Sequence, residues 1–549
     1  MRTFRLFLAF AGLTALSLAG CKNKRADMLM VNGIFHTMDS VGSVVQAVAI
    51  KDGKIVQVGT TEDLLFEFKA DTVFDLKGRS VFPGFIDAHC HFYGFASNLR
   101  QADLVATRSW GEVLTRVDSF AKGNKEGWLL GRGWDQNDWE DKNYPDNTEL
   151  NARFPNRPVL LKRIDGHAAL ANQAALEAAG ITSESRVSGG KIFKDARGNL
   201  TGMLLDNAVD MVEKVVPPPS DKEMAALLQK TEKLLFANGI TTVSDAGLEL
   251  HMIELIDSLQ KSGALQVRVY AMANPTEENF KRWLPNGPYR TEKLSVSAFK
   301  VYADGALGSR GACLLEPYKD APEQTGFLLH DIPYYHDLAK KIHDAGFQMN
   351  THCIGDSAIR FMLHVYGNVL AGANNRRWRI EHAQVVAPSD FRLFDTFDVI
   401  PSVQPTHATS DMAWAEDRIG KIRLNGAYAY KTLLKQNGFI AFGTDFPVEQ
   451  INPMHTLFAA TQRMDTTGYP YGGFMAHEAV GLDTALRAIT IWAAYANMED
   501  GFKGSLEPGK LADLVVLESD PFGLDSKSLY HLKVDYTLVG GKIHYNRSE

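Results

Sequence analysis

Most of the chain alternates short apolar runs, each ending in polar residues, with longer segments whose apolar positions have helical spacing. This repeated unit is typical of βα units around a parallel sheet. Eight such runs occur, which is the number that closes a (β/α)8 TIM barrel with its active site where the strands end. The predicted strands are Val81–His89, Ile240–Asp245, Val267–Ala273, Ser295–Tyr302, Phe347–His352, Trp378–His382, Val399–Gln404 and Phe439–Asp445.

The two ends of the chain carry a different pattern of short alternating runs with turn dipeptides between them. Residues 28–59 contain Asn32-Gly33 and Asp52-Gly53, which both favour β-hairpins. The C-terminal stretches GSLEPGKLADLVVLESDPF and VDYTLVGGKIHYNR have the same texture. We therefore predict that residues 22–80 and 496–549 form one small β-sandwich, with the barrel over residues 81–495.

The first two predicted strands are separated by roughly 150 residues, which is too long for one crossover helix. We predict an inserted subdomain over residues 110–219, approximately from Trp110 to Pro219. It contains the stretches WLLGRGWDQNDW and RIDGHAALANQAAL.

The composition is that of a soluble globular protein, with 45% hydrophobic and 22% charged residues among 549. A formal net charge of -7 without a long Lys/Arg run argues against nucleic acid binding. We expect a small-molecule substrate, and a homo-oligomer is compatible with this composition.

The N-terminus has the pattern of a secretory signal: Arg2 and Arg5 precede an apolar segment and a run of small residues. Its end, Leu18-Ala19-Gly20-Cys21, resembles a bacterial lipobox. This resemblance implies that residues 1–21 include the signal peptide and that Cys21 is lipidated. The protein would then be an exported lipoprotein, periplasmic or on the cell surface, touching membrane only through its anchor. A plain signal peptide or an uncleaved anchor is the alternative.

The stretch FIDAHCHF places His89 and His91 on either side of Cys90. Successive strand residues face opposite sides, so both imidazoles point one way and the thiol points the other. A pair of metal ligands and a structural histidine pair are both consistent with this spacing. Cys90, Cys313 and Cys353 are an odd set without CxxC spacing, which favours burial over a disulfide framework.

Other predicted strands also end in residues that can bind metal. His352 and His382 close strands five and six, Asp445 closes strand eight, and Lys300 lies among apolar residues of strand four. Buried lysine is rare without a partner or a task. Imidazole and carboxylate together favour zinc, with iron, manganese and nickel as poorer fits.

The motifs GFIDAHCHF, KVYADGALGSRGA, NTHCIGDSAI, RIEHAQ, GTDFPVE and GSLEPGKLADLVVL resemble the amidohydrolase superfamily, in particular the amidohydrolase-3 branch that includes N-substituted formamide deformylases. The resemblance implies two metals, one bound by His89, His91 and Asp445 and the other by His352 and His382. It also implies that Lys300 bridges both as a carbamate. An unmodified lysine in a mononuclear site is the alternative.

The resemblance implies hydrolysis of a non-peptide carbon–nitrogen bond, by attack of a metal-bridging hydroxide on a carbonyl carbon. Asp445 is the expected general acid/base, since it is the carboxylate placed at the metals. The predicted substrate contacts are His167, Arg163, Trp134, Asp135 and Asp304. Packing explains Trp134 and Asp135 equally well, and a turn explains Asp304.

Three other functions fit parts of the pattern. A nucleobase-type deaminase shares the fold, but such enzymes place a glutamate three residues after the strand-five histidine, where this chain has Gly355. Ester, lactone or phosphotriester hydrolysis needs the same attacking group. A non-catalytic binding lipoprotein would usually lack a ligand, whereas the ligand set here is complete.

Overall fold

In the computed structural model, which describes residues 24–188 and 190–548, the centre of the protein is a sheet of eight consecutive parallel strands. We label them β1 to β8 in chain order. Their bounds are Phe85–Cys90, Ile240–Leu248, Arg268–Ala273, Leu294–Tyr302, Gln348–Cys353, Arg379–His382, Ile400–Val403 and Ala441–Phe442. A short strand, Tyr289–Arg290, pairs antiparallel with β4.

All eight predicted strands occur, so the predicted barrel is confirmed. Most strand ends lie within three residues of the prediction, and two strands differ in their pairing or their length. The first predicted strand is split at Gly84: Ser80–Pro83 joins a terminal sheet, and β1 begins at Phe85. The eighth is only two residues long, because the chain turns away from the sheet after Phe442.

The barrel closes where β8 meets β1. The backbone N–H of Asp445 donates to the carbonyl of His89 at 2.8 Å, and that of His91 donates to the carbonyl of Phe446 at 2.9 Å. Gly443 permits this approach, since a Cβ there would lie 2.5 Å from the backbone nitrogen of His89. The first and the last strand of the barrel are therefore joined by backbone hydrogen bonds at their carboxyl ends.

Helices follow the strands and cover the barrel, and their apolar faces form the largest buried cluster with it. Those of the barrel region are Phe92–Asn98, Asp221–Ala237, Leu250–Lys261, Glu277–Trp283, Ile332–Asp344, Asp356–Leu370, Phe391–Thr396, Pro405–Asp411, Ala415–Leu424, Tyr430–Asn437, Pro453–Gln462, Leu482–Ala488 and Ile491–Ala496. Within the described ranges, no helix is both long and apolar enough to span a bilayer.

Between β1 and the helix that precedes β2 lies a six-stranded mixed sheet with its own buried clusters. It begins at Gln101, ahead of the Trp110 boundary expected from the sequence. In spatial order its strands are Gly190–Lys194, Leu200–Asp206, Ala168–Ala171, Val159–Arg163, Leu129–Trp134 and Gln101–Asp103. Its helices are Trp110–Gly123, Thr148–Arg153, Gln173–Ala178 and Asn207–Glu213.

The ends of the chain form two further sheets. One contains Lys54–Gly59, Ala47–Lys51, Lys24–Val31 and Phe68–Asp75; the other contains Lys542–Asn546, Val534–Val539, Leu514–Leu517, Ser80–Pro83, Ile34–His36 and Val44–Val45. Side chains from both sheets enter one buried cluster. The helices here are Thr61–Glu67 and Ser526–His531. That these sheets form a single sandwich stays a prediction.

Of the two expected hairpins, one is present. Asp52-Gly53 joins two antiparallel strands, with Lys51 opposite Lys54. The prediction of a hairpin at Asn32-Gly33 is wrong, because the strands before and after this turn belong to different sheets. Asn32 adopts φ 56°, so its turn passes the chain from one sheet to the other.

Candidate metal centre

The end of β1 delivers the first two imidazoles. His89 is fully buried inside the barrel, while the side chain of His91, just after the strand, keeps 31% of its surface exposed. Cys90 points away from them, and its thiol donates to the carbonyl of Ser244. Burial raises the pKa of Cys90 well above its usual value, so the thiol is protonated and packed.

Asp445 lies beside both histidines, just after β8. Its Oδ1 is 3.1 Å from Nε2 of His91 and 3.7 Å from Nε2 of His89. Burial opposes ionisation, but the neighbouring imidazoles of His91, His89 and His382 hold the pKa of Asp445 well below its usual range. Its φ of 60° is a strained backbone conformation of the kind that clusters at functional sites.

The ends of β5 and β6 bring two more imidazoles to the same mouth. The ring centroids of His352 and His382 are 4.5 Å apart, and those of His382 and His89 are 4.8 Å apart. Burial and the nearby Lys300 lower the pKa of His352 to about 3, which keeps it neutral and able to bind a metal. Like Asp445, His382 has a left-handed φ, of 73°.

Lys300 lies in the barrel interior on β4, with its Nζ 3.0 Å from Nε2 of His89. Burial lowers the pKa of Lys300 to about 8. No carboxylate lies within 4 Å of its Nζ among the described residues. A buried lysine in this setting is unusual unless it is modified or serves a function.

The centre fits a divalent metal because several donor atoms are buried without partners. Nε2 of His352, Nε2 of His407 and Oδ1 of Asp445 have no hydrogen-bond partner among the described residues. Buried polar atoms are normally hydrogen-bonded, so unpaired ones indicate a missing ligand. Two groups have donor atoms within 4.8 Å of one another, and both include Asp445: His89 with His91, and His382 with His407.

Glu381, which the sequence analysis missed, orients His89. Its Oε2 accepts a hydrogen bond from Nδ1 of His89 at 2.6 Å, which leaves Nε2 free for a metal. Glu381 is fully buried, and Arg379 lies 3.8 Å from its other oxygen. The signal was available in WRIEHAQ, where Arg379 and Glu381 alternate along a strand whose neighbours are apolar.

We expect Glu381→Gln to weaken zinc binding by about 10- to 100-fold, because an amide no longer fixes the tautomer and charge of His89. Equilibrium dialysis with metal analysis would measure this. Glu478→Gln is the matched control: Glu478 is also buried, and it bonds to Thr432 outside the centre. Equal zinc affinity in the two variants would contradict the orienting role.

His407 was not predicted as a site residue, because it lies three residues beyond the predicted end of strand seven. Its Nε2 is 3.6 Å from Oδ2 of Asp445, and its ring is nearly parallel to that of His382. Gln404, which directly follows β7, accepts a hydrogen bond from Nδ1 of His382 at 2.8 Å. The segment after β7, Gln404 and the helix that follows it, therefore supplies two side chains to the centre.

Four of the predicted substrate contacts lie in the insert. Arg163 donates to Asp135 at 2.5 Å and to Gln136 at 2.9 Å, while His167 has 75% of its side chain exposed and contacts Asp206. Trp134 is fully buried, and its indole donates to the carbonyl of Leu161. This environment favours a packing role for Trp134.

The fifth predicted contact, Asp304, is buried beside β5 rather than open to the barrel mouth. It accepts backbone N–H bonds from Cys313, Ile354 and Gly355 at 2.8–3.0 Å. Burial raises the pKa of Asp304 to about 7. These contacts favour a role in holding the loops after β4 and β5, with Oδ1 3.8 Å from Nε2 of His352.

The comparison with known families agrees with this geometry. Residues 72–545 match the model of the amidohydrolase family. The chain belongs to this family. The predicted superfamily is thereby confirmed, and this amidohydrolase is a metal-dependent hydrolase that acts on carbon–nitrogen bonds.

Individual relatives cover nearly the whole amidohydrolase chain. It is 32% identical to the putative amidohydrolase YtcJ of Bacillus subtilis (strain 168), over 94% of this chain and 99% of that one. It is 26% identical to the N-substituted formamide deformylase of Arthrobacter pascens, over 95% and 99%. A solved structure of an uncharacterized metal-dependent hydrolase from Pyrococcus horikoshii OT3 has a TM-score of 0.77 and 27% identity, over 91% and 99%.

Proposed function

We propose that this amidohydrolase cleaves a non-peptide amide bond of a small molecule with two divalent metals, zinc being the best fit. The carrying observation is the placement of Asp445, which faces His91 with one carboxylate oxygen and His407 with the other. His89, His91 and Asp445 would hold one ion, and His352 and His382 the second. The formamide deformylase relative supports an amide substrate.

When bound, divalent metals supply a Lewis acid and lower the pKa of a water molecule toward about 7. The chain's own contribution is proton movement. The carboxylate of Asp445, ionised because its pKa is held low, takes the proton of the attacking water and returns it to the departing nitrogen. Glu381 keeps His89 in the correct tautomer throughout.

Lys300 is proposed to carry a carbamate. Its lowered pKa makes the neutral amine accessible near neutral pH, and this amine adds to carbon dioxide with loss of one proton. The modification replaces a cation beside His89 with an anion that has two ligand oxygens. An ammonium at this position would repel both metals.

A deaminase is disfavoured by the backbone around Gly355. A Cβ at Gly355 would lie 2.1 Å from the carbonyl oxygen of Cys313, so the position that would carry a glutamate in nucleobase-type deaminases has no room for a side chain. Among the predicted substrate contacts, His167 has the most exposed side chain, and we keep it as the proposed substrate contact.

The test is a hydrolysis panel with the metal-replete chain: N-formyl amides, N-acyl amides and cyclic amides, with esters of matched acyl groups as comparison. We expect amide cleavage that disappears on chelation and returns with zinc. His89→Ala is the negative control, since it removes a proposed ligand. Cleavage of the esters without any amide would contradict the proposal, as would a chain that retains less than one equivalent of metal and cleaves nothing.

We also propose that the chain is exported and anchored through a lipid on Cys21. The support is the sequence pattern alone, because residues 1–21, with Cys21, lie outside the described residues. Incorporation of labelled palmitate by the full chain, and not by Cys21→Ser, is the expected result. Equal labelling of both chains would rule out this anchor.

A further inference from the structure

We infer that His407, in the helix after β7, is a ligand of the second metal, together with His382 and Asp445. This inference rests on the proposed function and extends its ligand set beyond the residues at the strand ends. His407 enters from the helix Pro405–Asp411, which begins two residues after β7. The second metal would then be held by His352 at the end of β5 and His382 at the end of β6, joined by His407 and Asp445, which follow β7 and β8.

The distance between His407 and Asp445 suits two ligands of one metal better than a hydrogen bond. Two ligand atoms on one tetrahedral zinc, each about 2.0–2.2 Å from it, are about 3.3–3.6 Å apart. Nε2 of His407 is 3.6 Å from Oδ2 of Asp445, near this spacing and beyond the usual hydrogen-bond range. The opposite oxygen, Oδ1, is 3.1 Å from Nε2 of His91. Asp445 is thus placed to serve both ions.

The described residues around His407 offer no hydrogen-bond partner to its Nε2 nitrogen, which is buried. A histidine held there only for packing would leave a buried polar atom unpaired, which destabilises the folded chain. A metal ion removes this penalty.

The neighbouring contacts hold His382 in a compatible orientation. Its Nδ1 is engaged by Gln404, so Nε2 is the nitrogen left for a metal. The rings of His382 and His407 are inclined by only 13°, with centroids 5.9 Å apart. Tyr430 donates to the backbone carbonyl of Gln404 at 2.9 Å and fixes the start of the helix that carries His407. One short segment therefore orients His382 and supplies His407.

The test measures metal uptake of the full chain rather than turnover. Wild type is expected to bind two equivalents of zinc in equilibrium dialysis. His407→Ala is expected to keep one equivalent at wild-type affinity and to bind the second at least about tenfold more weakly. In the cobalt-substituted protein, only the absorption bands of the second equivalent should change.

His455→Ala is the matched control, because His455 is a half-buried histidine that stacks on Tyr530 at 4.0 Å, outside the centre. If His407→Ala binds two equivalents of zinc with the affinities of wild type, the inference is overturned. A wild type that hydrolyses amides with only one equivalent bound would also overturn it, and would leave amide hydrolysis standing without a second metal. No metal and no hydrolysis would defeat both proposals. If circular dichroism shows His407→Ala unfolded, His407→Gln decides by the same criteria.

Discussion

Asp445→Asn is expected to lower kcat by about 1,000-fold or more, since loss of a general acid/base alone costs up to about 10,000-fold. The substitution keeps the size of the side chain but removes the charge that faces His91 and His407. We expect KM to change much less than kcat, because the carboxylate acts on the reacting atoms. Steady-state kinetics on the best amide of the panel would measure both constants, and metal analysis would report how much zinc remains.

Asp390→Asn provides the matched control for Asp445→Asn. Both carboxylates are largely buried, with 8% and 7% of their side chains exposed, but Asp390 pairs with Arg360 outside the centre. We expect Asp390→Asn to retain kcat within a few-fold. A similar kcat for the two variants would show that Asp445 does not move the proton.

Lys300→Ala is expected to lower kcat by about 100-fold or more. Loss of a side chain that only hydrogen-bonds to a metal ligand costs about 10- to 100-fold in activity, and we expect loss of a ligand itself to cost at least as much. Truncation leaves an empty space beside His89, where Nζ lay 3.0 Å from Nε2. If the lysine carries a carbamate, acetate or propionate should restore activity and metal content by supplying two oxygens. Methylamine should restore neither.

Rescue of Lys300→Ala by methylamine rather than by a carboxylate would indicate an unmodified lysine. Propionamide has the shape of propionate without its charge, and serves as a control for filling the space. Activity that depends on bicarbonate in wild type, and not in the carboxylate-rescued variant, would give independent support for the carbamate.

The barrel and most of its centre could be predicted because both follow from local patterns. Each strand is an apolar run, and the topology brings residues such as His352 and Asp445 to one mouth. The first strand was extended too far because periodicity does not show that Ser80–Pro83 pairs with a different sheet. Likewise, Asn32-Gly33 specifies a turn but not which sheet the next strand joins.

The missed residues depend on contacts that only the folded chain makes. Glu381 matters because it meets His89, 292 positions away in sequence. His407 is not at a strand end, and its proximity to Asp445 depends on how the helix after β7 returns to the mouth. For Asp304 the sequence suggests a role that its contacts do not favour. Its position after a strand predicts a substrate contact, whereas in the folded chain its carboxylate accepts hydrogen bonds from the backbone of two loops.

The closure of the barrel between β1 and β8 bears on when the protein acquires its metals. Asp87 on β1 accepts hydrogen bonds from Thr444, 357 positions later, beside the proposed ligands His89 and Asp445. Because the chain emerges from the ribosome N-terminal end first, His89 and His91 are synthesised long before Asp445, the carboxylate beside them in the folded protein. Nascent chains that stop before Asp445 would lack the ligand that we propose both ions share, so on this proposal metal loading is a late event that follows completion of the barrel.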